Sequence, residues 1–176
     1  MKIWWVAVIF GLFFSGQAVA QDGEMQAAAA LLAPLKQSLF TALSTALPTG
    51  TENALQVCHL DAQQLTLEAQ PVAAVIGRTS NLLRNPDNAP PPWVEPALAD
   101  YLESPVVEPR MVELAGGGRG YVEPIFMAEV CTQCHGVSIA PSVAARLAQL
   151  YPQDEATGYL AGDFRGLFWV ELAAPD

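Results

Sequence analysis

Cys131-Thr132-Gln133-Cys134-His135-Gly136 is the stretch on which the reading of this chain turns. C-x-x-C-H is the attachment signature of c-type haem. On one helical turn, thiols at i and i+3 share a face and can form thioethers with the two vinyl groups of one porphyrin. An imidazole four residues after the first thiol can swing under the ring and ligate iron. The flanks suit a flat cofactor, because Val130 is apolar and Gly136 has no side chain to clash with it. Two other chemistries use paired cysteines. A zinc site wants a second ligand pair at similar spacing, and only Cys58-His59 remains for that. A thioredoxin-type pair follows a strand in a βαβ unit and has no need of the trailing histidine. The expected cofactor is one covalent haem c, on Cys131 and Cys134, with His135 on the iron.

Destination supports that chemistry. Lys2 supplies a positive start, Ile3 to Phe14 an apolar core, and Ala18-Val19-Ala20 a small-residue cleavage site, so residues 1–20 read as a secretory signal cleaved after Ala20. The expected location is the periplasm, where covalent haem attachment takes place outside the cytoplasm. Residues 21–176 are of one-domain length with a real core. No later stretch approaches a membrane span; the longest apolar run, Ala27 to Leu35, is broken by Pro34. A net charge of −10 with only eight Lys and Arg makes the chain a poor nucleic-acid binder. The motif uses two of three cysteines, so Cys58 is the odd thiol of an exported protein and needs an explanation.

The rest of the chain reads as α+β. Leu32, Leu35, Leu39 and Leu43 recur at spacings of three and four, which predicts an amphipathic helix over Asp22 to Leu47, kinked or restarted at Pro34. Thr49-x-x-Glu52 is a capping box for a second helix, Glu52 to Ala69. There Leu55, Cys58, Ala62, Leu65 and Ala69 form an apolar stripe, and Glu52, Gln56, His59, Gln63 and Thr66 a polar one about 100° away. Cys58 is therefore expected in the core and His59 toward water. Periodicity alone leaves Cys58 either a small buried hydrophobe or a ligand. Val72 to Ile76 reads as a short strand, and Arg84-Asn85-Pro86-Asp87-Asn88 with Pro90-Pro91-Pro92 as a turn-rich connection. Trp93 to Leu102 reads as a short helix. Val106 to Leu114 and Tyr121 to Met127 read as strands joined by Gly116-Gly117-Gly118-Arg119-Gly120. A helix from Pro141 to Leu150 with Ala144, Ala145, Leu147 and Leu150 inward, and a closing strand Phe164 to Leu172, complete the pattern.

Several motifs in fixed order resemble one known family. They are Cys58 on an N-terminal helix, Arg78-Thr79-Ser80, Arg84-Asn85-Pro86-Asp87-Asn88, Pro124-Ile125, the C-x-x-C-H-G stretch, Tyr151-Pro152-x-Asp154-x-Ala156-x-Gly158-Tyr159 and Gly162-Asp163-x-Arg165-Gly166. The family is the c-type haem domain with a PAS-like fold, long catalogued as a domain of unknown function and described from a cyanobacterial member. The resemblance implies a PAS-like antiparallel sheet with N-terminal helices and flanking short helices. It also implies iron held by His135 and Cys58, and a role in redox or ligand sensing. No HAMP, kinase or cyclase segment follows the haem domain, so signalling is expected to run through a separate partner protein.

Arg78, Arg84, Arg119 and Arg165 suit haem propionates, since planar guanidinium matches carboxylate geometry, although a surface arginine is the commoner case. Tyr151, Tyr159 and Trp169 read as packing residues. No nucleophile–base set, phosphate loop or acid pair stands out, so the expectation is a redox or sensor protein rather than an enzyme. A thiolate ligand favours ferric iron and gives a low potential. The alternatives are an ordinary electron carrier with Met25, Met111 or Met127 as sixth ligand, and a haem enzyme with an open distal site.

Overall fold

A computed structural model of the chain describes residues 14–104 and 108–174. Residues 1–13, most of the expected signal, lie outside the described residues. So do Val106 and Val107, at the start of the expected second strand.

The long first helix, α1, spans Phe14–Ala46 and continues through Pro34 without restarting. A proline inside a helix removes one hydrogen bond and crowds the preceding turn, at about 3 kcal/mol. Leu32 and Leu35, on either side of it, are both fully buried. At roughly 1.5–3 kcal/mol each, their burial is enough to hold the helix together across the break.

The second helical segment is built in three parts: α2 (Thr51–Gln56), a wide π-helical turn (Val57–Asp61) and α3 (Ala62–Glu68). The expected capping box does not form. Gly50 stands at the N-cap, and the Thr49 hydroxyl instead donates to the Ala46 carbonyl at 2.7 Å.

A four-stranded, wholly antiparallel sheet follows, with spatial order β1-β4-β3-β2. β1 is Ala74–Thr79, later than expected, and leaves Val72 fully exposed. Next come α4 (Glu95–Glu103), β2 (Arg110–Glu113) and β3 (Arg119–Phe126). Gly116 and Gly117 take φ of 82° and 85° in the connecting turn, a conformation that glycine adopts without strain. β2 begins opposite Val122, so among the described residues Pro124 lies beyond the β2–β3 ladder. The chain closes with α5 (Thr132–His135), α6 (Pro141–Leu150) and β4 (Phe164–Leu172).

The sheet is covered on both faces. Ile76, Tyr121 and Val170 face α1 and pack with Ala28, Leu32 and Leu35. The opposite face puts Val122 and Leu167 against Val94, Ala97, Leu98 and Tyr101 of the α4 region. Gly77 sits opposite Trp169 in the β1–β4 ladder, and any Cβ there would fall 2.4 Å from the indole. A third cluster joins Leu55 of α2 to Val143, Leu147 and Tyr151, with Cys134 at its edge. Here Val143 and Leu147 are the inward residues of α6, while Ala144 and Ala145 are exposed, because the face is set by the four-residue step from Val143. This third cluster carries the site. No described helix is long and apolar enough to cross a membrane.

Candidate functional site

α5 is a single turn that holds Cys134 and His135, with Cys131 at its N-cap. It is preceded by a tight turn at Glu129–Cys131 and ended by Gly136. The glycine is required by the chain itself. A Cβ at Gly136 would lie 2.4 Å from the Thr132 carbonyl oxygen, the acceptor of the Gly136 N–H at 2.8 Å. Beyond the turn, residues 156–159 run alongside the motif like a short parallel strand. The Gly158 N–H donates to the Gly136 carbonyl at 3.1 Å and the Tyr159 N–H to the His135 carbonyl at 3.0 Å.

That segment sets the state of the histidine. His135 Nδ1 lies 2.7 Å from the Ala156 carbonyl oxygen. A carbonyl only accepts, so Nδ1 carries the proton and Nε2 keeps its lone pair. Burial first, then repulsion from Arg84 and Arg165, lowers the imidazole pKa to about 3. His135 is thus a neutral donor of fixed tautomer, as a metal-ligating imidazole requires. Its Nε2 faces Arg84 Nη1 at a long 3.5 Å.

Arg84 is the brace of the site. Its Nε lies 3.1 Å from both carboxylate oxygens of Asp154, and its Nη2 donates to the Cys134 carbonyl at 2.6 Å and to the Ala156 carbonyl at 3.2 Å. Asp154 in turn accepts the Ala156 N–H at 2.9 Å. One buried ion pair therefore ties the turn-rich 84–88 connection to both the attachment motif and the segment that orients His135. Arg84 was expected on a propionate, and nothing local marks Asp154 as its partner. A pair 70 residues apart leaves no local signal.

Two further arginines stand nearby with no carboxylate partner among the described residues. Burial lowers the pKa of Arg78, and the negative charges that Cys58 and Tyr151 can carry oppose that shift. Arg165 has its pKa lowered by burial, donates to the Leu82 carbonyl at 3.3 Å and lies over the Tyr159 ring at 5.2 Å. The Tyr159 hydroxyl is buried and unpartnered. Arg119, by contrast, is taken up by Glu24 at 3.1 Å and Glu113 at 3.7 Å.

Cys58, Cys131 and Cys134 are free, half-buried thiols. Burial raises the pKa of Cys58, opposed by Arg78 and Arg84, and Cys131 is close enough to add a small like-charge effect. Thr51 at the start of α2 reaches Gln133 of the motif at 3.2 Å, and the Tyr151 hydroxyl donates to the Cys58 carbonyl at 3.3 Å. The structure thus brings Cys58, the attachment thiols, His135, Arg78 and Arg84 into one region.

His59 departs from expectation. Instead of facing water it is half-buried and edge-on to Tyr151, with ring centroids 5.0 Å apart and its Nδ1 buried without a partner. The wide π-helical turn Val57–Asp61, which contains His59, is where the expectation fails; the apolar stripe itself is kept, with Leu55 and Ala62 buried. Glu52 and Gln56 before the turn are exposed, whereas Gln63 and Thr66 after it are half-buried. A cleft of about 490 Å³ opens here between His59, Gln63, Arg84, Pro86, Leu150 and Tyr151.

The donor set fits an iron porphyrin: two thiols on adjoining turns, a neutral imidazole whose unprotonated Nε2 faces Arg84, a third thiol, and two guanidiniums with no carboxylate partner among the described residues. The comparisons agree with the fold. The "cyanobacterial heme-protein Tll0287", known from a crystal structure, shares 20% identity with this chain, covers 95% of it over 98% of its own length, and superposes with a TM-score of 0.59. No curated protein sequence matches the chain. Residues 21–173 match the Tll0287-like family, and the chain belongs to it.

Proposed function

We propose that the chain is an exported c-type haem protein, a low-potential redox or ligand-sensing module of the periplasm. One haem is bound through Cys131 and Cys134, with His135 and Cys58 as axial ligands. The observation that carries this reading is the His135 Nδ1–Ala156 carbonyl contact, which leaves Nε2 unprotonated at the end of a C-x-x-C-H turn in a chain with a third, half-buried thiol. The similarity to a heme-protein of the same family supports it. Haem supplies one-electron chemistry and an iron site for small ligands. The protein orients His135 through Ala156, provides the sulfur of Cys58, and meets the propionates with Arg78 and Arg165. Arg84 stays engaged with Asp154 and the two backbone carbonyls. With a thiolate on iron the ferric state is favoured.

A methionine-ligated electron carrier fits less well, because Met25 and Met111 pack against the core between α1 and the sheet. The test is chemical. Protein matured with haem in an oxidising compartment is predicted to keep its haem through acid–acetone extraction and to carry the mass increment of one haem. Extractable haem, or a mature mass without the increment, contradicts covalent attachment.

A further inference from the structure

His59 is a half-buried imidazole to which the proposed function assigns no role. Its Nδ1 is buried without a partner, it shares the cleft with Arg84, and its ring touches Tyr151, whose hydroxyl holds the carbonyl of Cys58. It also sits in the middle of the π-helical turn Val57–Asp61. Such a turn holds one residue more than an α-turn, and the extra residue can be taken up at different points along the helix. If it is taken up before Cys58, the following residues rotate by one place, and His59 faces where Cys58 faces in an unbroken continuation of α2. A second register of the α2–α3 segment would present the His59 imidazole in place of the Cys58 thiolate.

We propose that His59 is a second iron ligand, which takes the sixth position when Cys58 gives it up on reduction. The proposal rests on the haem reading above. The step balances with one electron from an external one-electron donor. Ferric iron becomes ferrous, the iron–sulfur bond breaks with sulfur keeping its electron pair, and the His59 lone pair forms the new iron–nitrogen bond. A proton from solvent then neutralises the released thiolate. Ferrous iron carries one positive charge fewer, so its preference for an anionic thiolate over a neutral imidazole is weaker. The consequence is a redox-driven, one-residue shift of the N-terminal helical layer, a two-state element that a partner protein can sense.

The test compares covalent haem proteins by absorption and electron paramagnetic resonance: wild type, Cys58→Ala, His59→Ala and the double variant. Cys58→Ala is expected to stay low-spin with a bis-imidazole signature, and the double variant to lose it and become high-spin. Dithionite-reduced wild type is expected to show a bis-imidazole spectrum that disappears in His59→Ala, with faster carbon monoxide binding. This pair of proteins decides the question even if Cys58→Ala fails to assemble. A high-spin Cys58→Ala protein, or a reduced spectrum unchanged by His59→Ala, overturns the His59 proposal and leaves the haem reading standing. Ferric wild type and Cys58→Ala with identical spectra overturn the Cys58 assignment, and the ligand exchange with it.

Discussion

The Arg84 guanidinium and the Asp154 carboxylate form an ion pair at 3.0 Å, with only 7% and 10% of their side chains exposed. Because Arg84 also holds the carbonyls of Cys134 and Ala156, this pair fixes the position of the attachment turn relative to the segment that orients His135. Removing one member of a buried pair leaves the other charge uncompensated, at about 3–5 kcal/mol. Arg84→Leu is therefore predicted to lower unfolding free energy by that amount in urea titrations. The double variant with Asp154→Leu is predicted to recover part of the loss. A change below about 1 kcal/mol would show that the pair is not the brace described here.

Arg78 and Arg165 are expected to act on the haem through charge. Reduction adds an electron near two cations, so removing either cation makes reduction harder. Arg78→Gln and Arg165→Gln are each predicted to lower the midpoint potential by on the order of tens of millivolts. Arg119→Gln, whose cation is already paired with Glu24 and Glu113, is predicted to leave it unchanged. Potentiometric titration checks all three. Equal shifts for Arg78 and Arg119 would argue against a local effect.

Gly166 lies in β4 beside the irregularity at Ile125 and Phe126 and has φ of 151°. A Cβ there would fall 2.0 Å from the Thr79 carbonyl oxygen and 3.1 Å from Ser80 Cα. Backbone atoms cannot swing aside as a long side chain can, so Gly166→Ala combines strain with overpacking and is predicted to cost about 2–4 kcal/mol. Thermal melting reads the loss. Gly23→Ala, in α1 with open space around its Cβ, is the neutral or stabilising control.

How far the fold was legible depends on how local its causes are. β4 is found at Phe164–Leu172 and α6 at Pro141–Leu150, where a run of strand-forming residues and a Pro start are complete local signals. The Gly-rich hairpin was legible too, though Arg119 and Gly120 belong to the strand, because Gly120 must leave room for the Trp93 ring. The inward face of α6 was legible at Leu147 but not at its start, since three apolar residues in a row, Val143 to Ala145, do not say which of them meets Leu55. The π-helical turn left no trace in composition. Periodicity assumes a regular α-helix and so places His59 in solvent, whereas the wider turn at Val57–Asp61 sets it edge-on to Tyr151. The residues of the motif were legible, but what holds them was not, because Asp154 and the Ala156 carbonyl act through contacts far apart in sequence.

The central claim is that Cys58 and His135 hold one covalently attached haem between them. The ferric spectrum of the mature protein, taken side by side with that of Cys58→Ser, tests it most directly. The prediction is a low-spin ferric haem with a sulfur-ligand signature in the wild type, lost in Cys58→Ser while the haem stays covalently attached. A ferric spectrum identical in the two proteins would contradict it.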